Sequence, residues 1–286
     1  MWVLFAFAAA FFAGVMSILV KIGIKDTDSN LATALRTAVV VIFAWIMVFV
    51  VGSHRTLADV EMKSIIYLVL SGLATGGSWL CYFKALQVGS VNKVVPVDKS
   101  SVVLTMLFSM IFFNEGFTVI KVFALILIGV GTYMMIERKQ ISTGDSESRK
   151  WIVYAALSAV FASMTAVLGK IGITGVESNL GTAIRTIVVL IMAWSVVIAQ
   201  GKHKEIKNID LRSRVFLGLS GLATGFSWLC FYYALQQGPV SVVIPIDKLS
   251  ILVTVVFSYF LLKEKLNKLP LIGLILIVIG TLSLLI

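Results

Sequence analysis

Residues 71–89 read SGLATGGSWLCYFKALQVG, and residues 220–238 read SGLATGFSWLCFYYALQQG. The second stretch lies 149 positions after the first and keeps about three-quarters of it. Outward from this pair, 1–137 aligns with 150–286 without a gap, and roughly 40% of positions match, which marks an internal duplication. The matching is uneven. Between 53–67 and 202–216 only His54/His203 and Ser64/Ser213 are kept, so constraint is concentrated in particular segments.

The chain has 286 residues, of which 59% are hydrophobic and 13% charged, and its mean hydropathy is +1.02. Such a composition does not supply a polar shell for a water-soluble core and points to a membrane protein. Crossing roughly 30 Å of hydrocarbon takes about 20 apolar residues per helix. Stretches of that kind are predicted at 2–22, 31–51, 65–87, 93–113, 118–136, 151–170, 180–200, 215–236, 241–262 and 269–286. The polar segments ERKQISTGDSESRK (137–150) and GKHKEIKNIDLRSR (201–214) read as loops, so function is expected inside the helix bundle. The apolar start lacks a basic leader and has a counterpart at 150–172, so it is expected to be a retained helix rather than a signal peptide. Cys81 and Cys230 lie in apolar runs, where a free thiol behaves as a small hydrophobe. A net charge of +10 would suggest nucleic acid in a soluble protein; here much of it lies in loops, and membrane orientation accounts for it without a nucleic-acid partner.

Each half carries five predicted spans. An odd number makes the second copy enter the membrane from the opposite side. The expected fold is therefore an all-α membrane protein with ten transmembrane helices arranged as two inverted five-helix repeats, 1–137 and 151–286, joined by a polar linker at 138–150. Inverted repeats of this kind are strongly tied to alternating access. Basic residues gather in the loops between spans 5–6, 7–8 and 9–10, including Arg138, Lys139, Arg149, Lys204, Lys207 and Lys265, which by the positive-inside rule places both termini outside.

An ionisable residue at mid-helix costs at least ~2.5–3.5 kcal/mol on insertion scales, so it normally faces a partner or a cavity. The candidates come in mates: Arg36, Asp98 and Lys99 in the first half, Arg185, Asp247 and Lys248 in the second. Arg36 and Asp98 each lie about five residues inside their spans, roughly 7–9 Å deep, a depth that suits an Arg36–Asp98 pair and, by symmetry, an Arg185–Asp247 pair. These six residues are the expected gating or ion-coupling set, against the plainer alternative of ion pairs that only fix helix packing. Neighbouring helix residues point about 100° apart, so Lys99 is expected to snorkel to the near interface rather than share a partner with Asp98.

Trp79 and Trp228 lie near mid-depth, away from the interface that tryptophan usually prefers. With Tyr82, Tyr232, Ser78 and Ser227 they form the expected substrate-binding set, weighed against buried packing tryptophans whose N–H has found a carbonyl. Gly72 and Gly76 have the spacing of close helix approach, a packing signal more often than a chemical one. Lys21 and Lys170 are read as interfacial snorkelers, Glu115 and Glu264 as solvated caps in short turns, and Pro96 and Pro245 as first-turn prolines. His54 and His203 have no companion ligands, so no metal, cofactor or catalytic residue is expected.

The two five-span halves, the stretches PVDKSSVVLTMLFSMIFFNE (96–115) and PIDKLSILVTVVFSYFLLKEKL (245–266), and the closing IGVGTYMMI and IVIGTLSLLI resemble the EamA-type drug/metabolite transporter superfamily over nearly the whole chain. The resemblance implies ten helices in two inverted repeats, a central cavity, and passage of small metabolites by alternating access, often as efflux. Related small multidrug transporters couple to protons through a first-helix glutamate, but neither half has an acid there.

The expected function is thus a secondary transporter, an exporter of a small organic metabolite across the cell (inner or plasma) membrane. Its expected partners are the solute and membrane lipids, and it works as a monomer or homodimer. No GxxxxGK[ST] motif occurs, so the energy is expected from a gradient or exchange. Flipping of a lipid-linked sugar is the alternative. A membrane enzyme is disfavoured, because no metal-ligand cluster is present and the two helix acids are predicted at opposite ends.

Overall fold

The computed structural model describes residues 1–23, 27–88, 91–135, 150–263 and 267–286. The linker 138–149 and the residues Arg138, Lys139, Arg149, Glu264 and Lys265 lie outside them. The described residues form twelve α-helices: α1 (Trp2–Gly23), α2 (Ser29–Val51), α3 (Met62–Val88), α4 (Val91–Lys99), α5 (Ser101–Phe112), α6 (Val119–Met134), α7 (Lys150–Ile173), α8 (Ser178–Ala199), α9 (Leu211–Gln237), α10 (Val240–Lys248), α11 (Ser250–Leu262) and α12 (Lys268–Ser283). Short 3₁₀ segments, Ser53–Asp59 and Lys202–Asn208, link α2 to α3 and α8 to α9.

Seven segments are long and apolar enough to cross a membrane among the described residues, and α6 and α12 are shorter apolar helices. Large apolar side chains such as Ile42, Phe49, Phe112 and Phe260 are more than half exposed. In water such surface would drive aggregation, and against lipid it is the expected exterior. The chain is a multi-pass membrane protein.

The predicted spans 93–113 and 241–262 are not single helices. Each is divided immediately after its Asp-Lys pair, at Ser100 and at Leu249. The backbone tightens there into 3₁₀-type bonds, Ser100 N to Val97 O and Leu249 N to Ile246 O, and the Ser100 hydroxyl adds a 2.6 Å bond to Val97 O. Pro245 stands well inside α10 rather than in its first turn, and Pro96 occupies the same place in α4. Without an N–H, proline removes an i→i−4 bond from an already short helix.

The fold divides into two compact units, each drawing on both halves of the sequence. One comprises Met1–Leu73, Leu168–Gly238 and Ser250–Glu264; α1 packs on α9 and α11, and α2 on α8 and α9. Its glycines allow two matching crossings. A Cβ on Gly72 would sit 2.7 Å from Val188 Cβ, and one on Gly221 would sit 2.6 Å from Val39 Cβ. Gly72 and Gly221 are repeat mates, as are Val39 and Val188. Acidic residues cap its helices: Asp28 accepts from Asn30 N and Leu31 N, Glu177 from Leu180 N, and Asp210 from Ser213 N. The bonds from Ser213 hold the Asp210 carboxyl below its ordinary range. Lys170, expected as an interfacial residue, has specific partners. Its ammonium donates to the carbonyls of Leu235, Gln236 and Gly238, where the C-terminus of α9 leaves acceptors unsatisfied.

The other unit comprises Ala74–Val167, Pro239–Leu249 and Lys265–Ile286; here α6 packs on α12 and α5 on α10. Glu115, expected as a local solvated cap, serves a helix 125 positions away: its carboxylate accepts Val240 N at 2.6 Å and Ser241 N at 2.9 Å. Pro239 has no side chain that can cap α10, and a carboxylate at this end also meets the positive pole of the helix. Asn114 and Gly116 flank it with positive φ of 52° and 73°, a backbone turn that presents Glu115 outward. Glu115→Ala should lower stability by about 1–2 kcal/mol, and Glu115→Gln by less, because the amide oxygen still accepts. Thermal unfolding of the two variants in detergent checks this; equal melting points would remove the charge from the account.

Candidate functional site

In the first unit the site is built around Arg185 of α8, which is only 3% exposed. Its Nε donates to Ser71 Oγ of α3 at 3.0 Å. Its guanidinium lies 5.3 Å from the ring centre of Trp228 and 4.9 Å from that of Tyr232. These two rings are four residues apart on α9, so one helical face presents both to the cation. A desolvated cation–π contact is worth about 2 kcal/mol, which offsets part of the penalty for burying the charge. Gly169 of α7 closes the arrangement. A Cβ there would come within 2.9 Å of Tyr232 Cε1 and 3.2 Å of Ser71 Oγ.

The mate of Arg185 has a different environment in the same unit. Arg36 of α2 is half-buried, and its Nη1 points to Met16 Sδ at 3.2 Å, a weak acceptor. Two positions that would rebuild the Arg185 surroundings have diverged: Gly169 corresponds to Val20 and Tyr232 to Phe83. Ser227, one residue before Trp228, is buried and donates to the Ala9 carbonyl at 3.0 Å.

The second unit holds Trp79, Tyr82, Ser78 and the two acids. Asp98 accepts a 2.7 Å hydrogen bond from Ser158 Oγ of α7. Lys99 Nζ lies 3.9 Å from Asp98 Oδ2, with the lysine side chain 55% exposed and the aspartate 18%. The Lys99 side chain is thus more than half exposed while its ammonium stays at the edge of ion-pair distance from its neighbour. Asp247 and Lys248 repeat the pairing at 3.8 Å. Ser78 is buried against Ser158, and Trp79 and Tyr82 are half-buried.

Arg36 and Asp98 fall in different units, and the partners just named for each belong to its own unit. Trp228 and Tyr232 come together around Arg185, whereas Trp79 and Tyr82 belong to the other unit. A surface pocket in the first unit is lined by Thr27, Leu31, Glu205, Asn208, Ile209 and Asp210, none of which belongs to the expected site set. Ser71, Gly169 and Ser158 are not among the residues that the sequence singles out. Two of the three carried a signal there, since Gly169 and Ser158 depart from their mates Val20 and Ala9. Among the described residues no group of three or more His, Cys, Asp or Glu is placed to hold a metal ion.

The EamA-like transporter family matches this chain twice, over 1–137 and over 149–286. The chain belongs to the EamA-like transporter family. An uncharacterized transporter from the cobO 3′ region of Sinorhizobium sp. is 42% identical over 137 residues, which span 48% of this chain and 97% of that protein. The uncharacterized protein MJ1333.1 of Methanocaldococcus jannaschii is 34% identical over 79 residues, 28% of this chain and 58% of that protein. One solved crystal structure superimposes with a TM-score of 0.77 over 99% of this chain and 96% of that one; at 16% identity the likeness is one of fold. The EamA assignment makes this a transport protein.

Proposed function

We propose that this EamA-like protein is a secondary transporter that exports a small organic metabolite across the cell membrane by alternating access. Its ten spans form two inverted repeats, with the divided helices α4/α5 and α10/α11 each counting as one span. The reciprocal crossing at Gly72 and Gly221 carries the reading. The first half's α3 packs through Gly72 on the second half's α8, and the second half's α9 packs through Gly221 on the first half's α2. Contacts exchanged between repeat mates in this way are what a pseudo-two-fold axis produces, and such an axis interconverts outward-open and inward-open states. The Sinorhizobium relative supports the same reading, because it is matched over nearly its whole length by 137 residues, the length of one repeat. A fused pair needs no second chain to generate the axis, so a monomer suffices.

The proposed substrate is a small solute with aromatic or amphipathic character, for which Trp79 and Tyr82 of the one unit, and Trp228 and Tyr232 of the other, are separate candidate contacts. Divided helices support binding nearby, since transporters place discontinuous helices at their substrate and ion sites. Arg36, Asp98, Lys99, Arg185, Asp247 and Lys248 would then supply gating and coupling.

A thermal-shift screen of the purified protein against amino acids, amines, nucleosides and sugar phosphates tests the reading. A ligand at about 100 times its Kd should stabilise the wild type by about 2.7 kcal/mol and should not shift Trp79→Ala/Trp228→Ala. Stabilisation by lipid-linked sugars alone would replace this reading with a lipid flippase.

A further inference from the structure

Ser158 has one hydroxyl hydrogen and more than one acceptor within reach. Its Oγ lies 2.7 Å from Asp98 Oδ1 on α4 and 3.1 Å from the Ser78 carbonyl oxygen on α3. A hydroxyl donates only once, so these bonds are alternatives. While Asp98 is ionised, its carboxylate is the stronger acceptor and holds the hydrogen. Once Asp98 is protonated, the carboxyl becomes a donor, Ser158 Oγ accepts from it, and the Ser158 O–H turns to Ser78 O. The proton comes from water and returns to it, and no other covalent bond forms or breaks. Ser78 in turn donates to the Ser158 carbonyl at 3.1 Å, and the two hydroxyl oxygens are 3.3 Å apart. A change in the direction of the Ser158 hydroxyl is therefore felt on α3 at the residue beside Trp79.

This device occurs in one copy only. The mates of Asp98 and Ser78 are Asp247 and Ser227, but the mate of Ser158 is Ala9, which has no hydroxyl. Ser158 is fully buried while the Asp98 side chain is 18% exposed, so the acid can exchange protons as the hydroxyl stays shielded from competing water. The titratable groups around Asp98 are Lys99 on its own helix and Tyr82 on α3, which feels its charge. Tyr154 of α7 packs in the same apolar cluster as Tyr82 and Val97, Lys248 of α10 acts on Lys99, and Lys121 of α6 is turned to the Glu115 carbonyl.

We propose that Asp98 is the proton-accepting residue of the transport cycle, and that Ser158 is the positioning residue that passes its charge state to α3 and Trp79. The proposal rests on the transporter reading above, yet its test needs no substrate. The full chain in lipid bilayers is titrated with acid while infrared spectra follow carboxyl C=O absorption and fluorescence follows Trp79, with Trp79→Phe identifying that signal. The expected result is a carboxyl band lost in Asp98→Asn and kept in Asp247→Asn, with a Trp79 change that tracks it. Ser158→Ala should keep the band and lose the fluorescence change, and Ser158→Thr, which restores the hydroxyl, should keep both. Ser158→Cys fills the position with a weak donor and should at least halve the fluorescence change, so the idea stays testable if the alanine variant does not fold. A band lost in Asp247→Asn instead, or an unchanged fluorescence response in Ser158→Ala or Ser158→Cys, overturns the proposal. A failed ligand screen with this titration intact would sink the substrate reading and leave the proton relay standing.

Discussion

Gly131→Val lowers the apparent melting midpoint of the detergent-solubilised protein by ~6–12 °C, a loss of about 3 kcal/mol. The reason is the crossing of α6 and α12. A Cβ on Gly131 would lie 2.5 Å from the carbonyl oxygen of Gly273, and a Cβ on Gly273 would lie 2.5 Å from that of Gly131. Both obstacles are backbone atoms of a regular helix, so no side-chain rotation relieves the clash and the helices must separate. Helix association in a membrane depends on close packing rather than on hydrophobic exclusion of water, so separation forfeits most of what holds the pair together. Gly273→Val should have a similar effect. Gly218→Ala is the control: a Cβ there meets nothing within 4 Å, and alanine's higher helix propensity should leave stability unchanged or raise it by up to ~1 kcal/mol. A valine at 131 that melts with the wild type would show that α6 and α12 do not cross where described.

Tyr232→Ala is the second large effect, a destabilisation of about 3–5 kcal/mol. Tyr232 is 2% exposed, fills the space that Gly169 leaves open, and forms one of the two aromatic faces on the Arg185 guanidinium. Truncation creates a cavity and removes that face from a buried cation. Tyr232→Phe should cost about 1 kcal/mol or less, because the ring stays and only the hydroxyl is lost. The first half already carries phenylalanine at the mate position, Phe83. Melting of the two variants in one detergent decides the matter: if alanine and phenylalanine destabilise equally, the hydroxyl matters and the packed ring does not.

Residues that look equivalent in the sequence have different roles in the fold. SNLATALRTAVV and SNLGTAIRTIVV place Arg36 and Arg185 in nearly the same local sequence, and from there the two arginines read as mates with one role. Arg185 is enclosed by Ser71, Trp228 and Tyr232, whereas Arg36 meets a methionine sulfur. The difference lies in positions far away along the chain, Gly169 against Val20 and Tyr232 against Phe83, whose relevance depends on which helices touch. The same holds for Asp98 and Asp247, distinguished by Ser158 against Ala9. Glu115 and Lys170 were visible as charges near helix ends, but their partners are the backbone ends of α10 and α9, remote in sequence.

The sequence by itself determined the membrane class, the duplication, the helical segments and the pairs of polar residues. These follow from hydropathy summed over about 20 residues and from self-similarity at a fixed offset, both local properties of the chain. It also led to the family, since the matched regions, 1–137 and 149–286, coincide to within one residue with the two halves that the internal alignment defines. Only the tertiary structure decided where the long spans divide, which carbonyls and amides the charged caps satisfy, and which member of each polar pair is enclosed. Those outcomes depend on backbone approach of a few tenths of an ångström at Gly72, Gly131 and Gly169 and on single hydroxyls such as Ser71 and Ser158. Neither is encoded in the periodicity of one helix, because each is a property of two helices in contact.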